Sequence, residues 1–358
     1  MMANSRIVPV EVMKNFIKNI MIKLNVDPSH AENLADVLVT GDYRGHFSHG
    51  LNRIELYIKD IQQGTCKKDG IPKILKETSA TAWVDGNALL GPVVGKFCME
   101  LAIKKAKESG VGWVVAKGSN HFGIAGYYSM MALSHKLLGM SFTNASPLLA
   151  PTRSTEAFFG TNPLSLSAPS SSKNDDFVLD MATSVVALGK VEIANRKEEK
   201  IPHGWVIDKN GKTSDDPANF HALLPLGGPE HSSGYKGYGL AALVEIFTSI
   251  LGGSAMAPNV RSWSDNHTEA NLGQCFIAIN PDCFAPGFSD RMSELNHNLR
   301  TQKPADPDRP VLVHGDPERA HMQKCDQQGG IEYHINQIKM ADKLAEQFEI
   351  EPLKTIDN

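Results

Sequence analysis

Residues 118–123 constrain the fold of this chain most strongly, because they lie where a predicted strand ends and a predicted helix begins. They read Gly-Ser-Asn-His-Phe-Gly. An apolar run over residues 111–116 predicts a buried strand before them, and apolar residues at helical spacing follow over residues 124–138. In open α/β sheets, ligands bind at this end of a strand. His121 is therefore a candidate acid or base, and the alternative that the residues leave open is a histidine that caps the helix.

The pattern of the whole chain predicts an α/β fold combined with a helical part. Apolar residues recur at helical spacing over residues 9–64, strand-like and helix-like segments alternate from about residue 76, and the tail over residues 335–348 is helix-like. We therefore predict a helical domain built from residues 1–75 and 320–358, and an α/β domain over residues 76–319. The pattern does not give the order of the strands.

Composition excludes several classes of protein. The net charge of −4 and the lack of a lysine or arginine run argue against a nucleic-acid partner. The chain has no run near the roughly 18 apolar residues that a membrane span needs and no N-terminal signal core. Its five cysteines are scattered and form no Cys-x-x-Cys pair, so we expect neither a disulfide framework nor a metal site. A reducing, cytoplasmic location fits these observations.

A second glycine-rich stretch, residues 234–239, precedes an apolar helix-like segment. The N-terminus of such a helix offers free N–H groups to an anion, and Lys236 would add a full charge. The alternative is a flexible loop with a solvated lysine. Neither glycine stretch is the Gly-x-Gly-x-x-Gly fingerprint of a Rossmann fold, and the Walker A, zincin and Gly-x-Ser-x-Gly motifs are absent.

Two further places hold candidate functional residues. Ser48 and His49 lie in a polar loop, and Arg53 follows about one helical turn later, where it could bind a carboxylate through two parallel hydrogen bonds. The alternative is a serine at a helix start and a surface arginine. Asp180 ends an apolar run and could orient a histidine ring and stabilise its charged form. The alternative is a turn aspartate.

Taken together, these stretches resemble the type-2 malate/L-lactate dehydrogenases, a family that includes ureidoglycolate, sulfolactate and diketogulonate-type oxidoreductases. The matching stretches follow one another from about residue 10 to about residue 350. In chain order they are Ser48-His49-Gly50 with Arg53 and Tyr57, Ser119-Asn120-His121-Phe122-Gly123, Thr143-Asn144, Phe159-Gly160-Thr161-Asn162-Pro163, Asp180-Met181-Ala182, Pro225-Leu226-Gly227-Gly228 and Gly234-Tyr235-Lys236-Gly237-Tyr238-Gly239-Leu240.

The resemblance implies a homodimer that interconverts a small 2-oxo acid and its 2-hydroxy acid by hydride transfer with NAD or NADP. It also implies that the α/β domain over residues 76–319 binds the cofactor and has a mixed sheet that is not a Rossmann fold, which agrees with the missing fingerprint. His121 matches the acid/base histidine of the family, and His49 matches a position assigned as proton donor in some members. Substrate contacts would be Ser48, Arg53 and Tyr57. Cofactor contacts would be Asn120, Thr143, Asn144, Ser146, Asp180, Met181, Ala182, Lys236, Gly237, His314, Gly315 and Asp316.

The chain departs from the family pattern at two places. The run His314-Gly315-Asp316 stands where the family often has Pro-Gly-Glu, and Ala145 separates Asn144 from Ser146. These departures motivate a different interpretation, a catalytically silent homodimer that only binds the cofactor or has a structural role. An imine reductase of the same superfamily is the other alternative.

Overall fold

The computed structural model describes residues 5–263, 265 and 267–356, which form a mixed α/β structure. Its helices are α1 (Val10–Lys23), α2 (Pro28–Tyr43), α3 (Ile54–Gln62), α4 (Gly91–Ser109), α5 (Ala125–Met131), α6 (Leu188–Arg196), α7 (Gly234–Glu245), α8 (Phe288–Arg300), α9 (Asp316–Gln328) and α10 (Ile335–Phe348). Its strands are β1 (Ser5–Val8), β2 (Lys73–Glu77), β3 (Thr81–Asp85), β4 (Val111–Ser119), β5 (Leu138–Thr143), β6 (Leu164–Ala168), β7 (Phe177–Met181), β8 (Val206–Ile207), β9 (Thr213–Ser214), β10 (Ala222–Leu223), β11 (Leu272–Ile279) and β12 (Ile331–His334).

Helix α2 begins where the sequence gives the usual signals. The side chain of Asp27 accepts hydrogen bonds from the backbone N–H groups of Ser29 and His30, and Pro28 occupies the first position of α2. An acidic cap of this kind satisfies N–H groups that have no partner within the helix. The predicted helical region at residues 9–64 is thus confirmed as α1, α2 and α3, with a 3₁₀ turn before α3.

The main sheet has seven strands in the order β2-β3-β4-β11-β5-β6-β7. Only β3 and β4 run parallel, and every other neighbouring pair is antiparallel. Strand β11 lies between β4 and β5 although about 130 residues separate it from β5, so it completes the centre of the sheet late in the chain. This mixed sheet is not the parallel doubly wound sheet of a Rossmann fold.

The two ends of the chain meet in a small antiparallel sheet formed by β1 and β12. One continuous hydrophobic core then joins the two predicted domains, because buried side chains of α1 and α2 pack together with those of α4, β4, β11 and α10. The division at residues 75 and 320 remains a prediction. The described residues contain no helix long and apolar enough to cross a membrane.

Two local predictions were wrong. Residues 311–313, predicted as a strand, pair with no strand of the described chain, and the backbone N–H of Val313 donates to Asp316 Oδ2 at 2.8 Å. The helix predicted up to residue 138 ends at Met131, followed by a 3₁₀ turn and the left-handed residue Lys136. Helix α9 was not predicted, because its apolar positions are too few to give a helical period.

Candidate active site

His121 lies in the turn between β4 and α5, as the sequence indicated. The turn closes at Gly123, which has φ +79°, and a Cβ there would lie 2.3 Å from Val37 Cγ1 of α2. The glycine is therefore needed for the left-handed backbone and for close packing against α2. Its role is to fix the turn that carries His121, and it does not form a phosphate cradle.

The loop between α2 and α3 brings Ser48, His49 and Arg53 together. The hydroxyl of Ser48 and Nδ1 of His49 are 2.8 Å apart, and Arg53 Nε donates to the backbone oxygen of Ser48 at 2.6 Å. Adjacent side chains usually point apart, but the 3₁₀ geometry at Phe47–His49 lets these two meet. The guanidinium of Arg53 thus holds the loop through one nitrogen.

The buried carboxylate of Asp42 holds the loop between α2 and α3 in place. Asp42 Oδ2 accepts hydrogen bonds from the backbone N–H of Leu51 and from the hydroxyl of Tyr333, both at 2.9 Å. Burial raises the pKa of Asp42 to about 7, against the opposing effect of these two bonds. Gly50 is required beside it, since a Cβ there would lie 1.9 Å from Asp42 Oδ1. The motif search overlooked both Asp42 and Tyr333.

The ring of His121 is held by Tyr57, and Asp180 does not reach it. Tyr57 Oη is 2.7 Å from His121 Nδ1 and 3.3 Å from the backbone oxygen of His121. The N–H of Gly123 also donates to Nδ1, at 3.3 Å. The family resemblance predicted that Tyr57 contacts the substrate and the sequence predicted that Asp180 orients the histidine. In the structure it is Tyr57 that orients the ring of His121. Nε2 is the imidazole nitrogen that remains for a substrate.

Trp263 forms a wall of the site that the sequence analysis missed. Its indole stacks on the imidazole of His121, with ring centroids 3.8 Å apart and an interplanar angle of 23°. The ring of Tyr57 meets the indole edge-on at 5.6 Å. The one available signal was a tryptophan within the otherwise polar segment 254–272.

Both histidines are uncharged near neutral pH. Burial, together with the charges of Arg53 and His46, lowers the pKa of His49 to about 4. Burial, His49 and Arg53 lower the pKa of His121 well below its ordinary value of 6.5. The two imidazoles are nearly parallel, with centroids 5.8 Å apart, so a proton on either ring disfavours a proton on the other.

Arg53 retains donors for a ligand. Its Nε bonds to Ser48 and its guanidinium carbon lies 6.0 Å from the centroid of the Trp263 ring. Within the described residues, its two terminal nitrogens have no hydrogen-bond acceptor and no carboxylate within 4.0 Å. A half-buried guanidinium whose two terminal nitrogens form one free edge matches a carboxylate.

Four predicted cofactor contacts lie at or just after the ends of β4 and β5, and each makes at least one hydrogen bond to the scaffold. The side-chain nitrogen of Asn120 donates to the backbone oxygens of Ala88 and Leu89 at 3.2 and 2.8 Å. Thr143 and Asn144 are buried and bond to backbone groups of β11 and its flanks. The hydroxyl of Ser146 donates to the backbone oxygen of Arg261 at 2.7 Å.

The remaining predicted contacts fall into two groups. Asp180 accepts a 2.7 Å hydrogen bond from the N–H of Gly126 in α5, and half-buried Met181 and Ala182 follow it. Lys236 is exposed in the first turn of α7. Gly237 packs against Leu226, where a Cβ would lie 2.1 Å from the backbone oxygen, so this glycine serves packing and does not cradle a ligand.

The segment His314-Gly315-Asp316 forms part of an ion-pair cluster. Asp316 bonds to Arg300 at 2.9 Å and to Arg319 at 2.6 Å. Burial would raise the pKa of Asp316, but hydrogen bonds from Arg300, Val313 and Arg319 outweigh it and hold the pKa well below its usual range. The ring of His314 packs edge-on against Phe177 at 5.6 Å. This acid stabilises the start of α9 and has little capacity left for a cofactor.

The geometry defines a class of site: an oriented neutral histidine and, close to it, a guanidinium that is free to bind an anion. The comparisons with known proteins agree with it. The family model described as malate/L-lactate dehydrogenase matches residues 8–340. The chain is 39% identical over 315 residues to malate dehydrogenase of Pyrococcus abyssi, which covers 86% of each chain. It is 39% identical over 315 residues to L-sulfolactate dehydrogenase of Methanocaldococcus jannaschii, which covers 87% of this chain and 89% of that one.

Two solved structures are similar over nearly their whole length. Malate dehydrogenase from Entamoeba histolytica has a TM-score of 0.91 and 32% identity, with 97% of this chain and 99% of that chain covered. The Δ1-piperideine-2-carboxylate reductase from Pseudomonas syringae has a TM-score of 0.84 and 25% identity, with 95% and 100% covered. The chain therefore belongs to the malate/L-lactate dehydrogenase family. The prediction of a 2-hydroxy-acid dehydrogenase that uses a nicotinamide cofactor is confirmed at this level.

Proposed function

We propose that this protein interconverts a small 2-oxo acid and its 2-hydroxy acid, with Arg53 as the carboxylate ligand and His121 as the proton donor and acceptor. The observation that supports this most strongly is the free guanidinium edge of Arg53 in the same cleft as His121. A 2-oxo acid carries its carboxylate next to its carbonyl carbon. One cation and one acid/base group at neighbouring positions therefore match its two polar ends.

Tyr57 allows His121 to act in both directions. Burial raises the pKa of Tyr57 well above its ordinary value of 10.0, so its hydroxyl stays protonated. When Nδ1 of His121 carries a proton, its N–H donates to Tyr57 Oη, in place of the bond that the Gly123 N–H makes to an unprotonated Nδ1. The Tyr57 hydroxyl then donates its own hydrogen to the backbone oxygen of His121. Nε2 then has a free lone pair and can remove the proton of a substrate hydroxyl. In the reverse direction the imidazolium donates from Nε2 to the carbonyl oxygen.

The nicotinamide cofactor supplies the hydride when it is bound. The side-chain oxygen of Asn120, next to His121, is buried and has no partner within the described chain, which suits a donor such as a carboxamide. Lys236 lies in the first turn of α7 and has no carboxylate within 4.0 Å in that part of the chain, which suits a phosphate. We propose these two residues as cofactor contacts and leave the preference between NAD and NADP to the assay below.

The low pKa of His121 makes a prediction about pH. Oxidation of the 2-hydroxy acid needs the neutral imidazole, which is present above the lowered pKa and is lost only as the pH falls through it. We expect kcat/KM for oxidation to stay constant from about pH 8 to below pH 6.5. We expect kcat/KM for reduction to rise about tenfold per pH unit as the pH falls over that range. An acidic limb of the oxidation profile above pH 6.5 would contradict this assignment.

Tyr57→Phe is the matched variant for the pH measurement. The imidazolium loses a hydrogen bond from a charged group, worth about 1.5–3 kcal/mol, whereas the neutral ring loses a bond worth about 0.5–1.5 kcal/mol. The pKa of His121 should therefore fall further, which moves the acidic limb to lower pH. At a given pH, kcat/KM should drop by the same factor in both directions, because the equilibrium constant of the reaction is unchanged. A loss of kcat/KM with an unmoved limb would show that Tyr57 only supports the fold.

One assay separates the proposed activity from its alternatives. Pyruvate, oxaloacetate, sulfopyruvate and the cyclic imine Δ1-piperideine-2-carboxylate are tested with NADH and with NADPH. Turnover of a 2-oxo acid supports the proposal, and turnover of the imine alone points to an imine reductase. A thermal shift with either cofactor but no turnover of any compound would indicate a catalytically silent member.

We also propose that the protein is a homodimer, as the family resemblance implies, and that the outer face of α7 and the following π-helical turn contacts the second copy. Leu243, Ile246 and Ile250 lie on this face and are 37%, 51% and 57% exposed. Ile246→Glu should convert the dimer to a monomer in sedimentation velocity, because burying an unpaired carboxylate is costly. The control is Ile193→Glu on α6, where the isoleucine is 53% exposed. A dimer that persists in Ile246→Glu would exclude this face.

A further inference from the structure

The proposed function leaves open which 2-oxo acid the cleft accepts, and Trp263 bears directly on this. The indole contacts both groups assigned to the substrate: it stacks on His121 at 3.8 Å and lies 6.0 Å from the guanidinium carbon of Arg53. A molecule bound between Arg53 and His121 would therefore have the indole as a neighbour. In a bound 2-oxo acid, the side chain on the carbonyl carbon opposite the carboxylate would then face the indole of Trp263.

The indole is fixed by a buried ion pair. Arg261 Nη2 lies 2.8 Å from Asp60 Oδ1, and the two side chains are 6% and 5% exposed. The indole nitrogen of Trp263 donates to the second oxygen of the same carboxylate at 3.2 Å. The hydroxyl of Ser146 holds the backbone of Arg261 at 2.7 Å. These contacts tie Arg261 and Trp263 to α3 and keep the indole against His121.

The charged groups around His121 bear on whether the site would bind a dianion. A 2-oxo acid with a second acidic group, such as oxaloacetate or sulfopyruvate, needs a second cation. Arg261 is buried and paired with Asp60, so its charge is already neutralised. The charged or titratable groups that act on His121 are His49 and Arg53, and His49 is neutral near pH 7. Among the described side chains in contact with His121 or His49, none provides a second unpaired cation.

We propose that Trp263 is a specificity-determining residue, and that this enzyme prefers 2-oxo acids with one carboxylate and a small uncharged side chain to those with a second acidic group. The proposed preference rests on the proposed function, since it assumes that Arg53 binds the carboxylate next to the carbonyl. The face of an aromatic ring carries negative electrostatic potential and attracts cations. A second carboxylate or a sulfonate there would lose hydration without gaining a partner.

The test compares kcat/KM for pyruvate and 2-oxobutanoate with that for oxaloacetate and sulfopyruvate, using the full-length enzyme and whichever nicotinamide cofactor it accepts. We expect the wild type to favour the monocarboxylates by about tenfold or more, the factor that about 1.4 kcal/mol of discrimination gives. Trp263→Arg adds a positive charge beside Asp60, whose own charge Arg261 already offsets. It should shift the ratio toward oxaloacetate by about tenfold or more.

Two further variants serve as controls. Trp263→Phe keeps an uncharged aromatic wall and should retain the preference for monocarboxylates. Trp83→Phe replaces a tryptophan on β3 that is 37% exposed and bonds to Gly252, and it should leave the ratio within about twofold of wild type. Thermal unfolding of each variant shows that the fold is retained. Equal or better wild-type turnover of oxaloacetate or sulfopyruvate would overturn the proposal while leaving the proposed function intact.

A binding measurement keeps the two proposals separable. Oxamate, an analogue of pyruvate, and tartronate, a dicarboxylate, are titrated into the enzyme with bound cofactor. Binding is followed by isothermal titration calorimetry, because Trp263→Arg removes the tryptophan of the site. Tighter binding of oxamate than of tartronate, with the order reversed in Trp263→Arg, supports the inference even if no 2-oxo acid is turned over. A lack of turnover would refute only the proposed function. Equal affinity for both compounds, or no binding of either, would refute the inference.

Discussion

His121→Ala should lower kcat in both directions by about 10²- to 10⁴-fold, the usual contribution of a positioned general acid or base. Cofactor affinity should stay within about twofold of wild type, because the scaffold bonds of Asn120 and the contacts of α7 do not involve the imidazole ring. Stopped-flow measurement of hydride transfer and fluorescence titration of NADH or NADPH measure the two quantities separately.

The parallel variant is His49→Ala, because both imidazoles lie in one cleft with centroids 5.8 Å apart. We expect a smaller loss of kcat there, since His49 is held by Ser48 through Nδ1 and lacks a partner comparable to Tyr57. The control is His135→Ala, which removes an exposed histidine that contacts Lys107. Near-wild-type turnover in His121→Ala, with a collapse in His49→Ala, would assign the proton transfer to His49.

Arg53→Lys should raise KM for the 2-oxo acid by about 10- to 100-fold, because replacing a bidentate pair with a single contact loses a hydrogen bond to a charge, worth about 1.5–3 kcal/mol. The effect on kcat should be smaller. Lysine also cannot reproduce the 2.6 Å bond from Arg53 Nε to the backbone of Ser48, so some loosening of the Ser48-His49 loop is expected. Initial rates over a range of substrate concentrations give the two parameters.

Arg53→Ala with added guanidinium distinguishes carboxylate binding from support of the loop. Free guanidinium can occupy the vacated volume and bind the carboxylate, so it should restore a measurable part of kcat/KM. The control is Arg291→Ala, which removes an exposed guanidinium on α8 and should change neither parameter. A change in KM below about twofold in Arg53→Lys would argue against a bidentate contact.

Local sequence signals predicted much of the fold and part of the site. The position of His121 between β4 and α5 follows from an apolar run, a glycine and a helical period, all within about 25 residues. The motifs at Ser48, Arg53 and Asn120 were sufficient to indicate the family, which the comparisons confirm. Helix α9 and the end of α5 were harder to predict from the sequence, because their boundaries depend on ion pairs and turns more than on hydrophobic periodicity.

The partners of each functional side chain could not be predicted in this way. Asp180 was a reasonable candidate to orient His121, but Tyr57, 64 residues earlier, has that position. Asp180 instead bonds to the first turn of α5. The placement of Trp263 depends on Asp60, about 200 residues away in sequence, through a single buried ion pair with Arg261.

The sequence by itself therefore determined the family, the mixed α/β class and the turn that carries His121, because these depend on short-range periodicity and on residues adjacent in the chain. The tertiary structure decided which groups touch that histidine, how far its pKa falls and which charges remain free in the cleft. Burial and pairing depend on segments far apart in the sequence, and in a mostly antiparallel sheet the strand order that brings them together has no local signal.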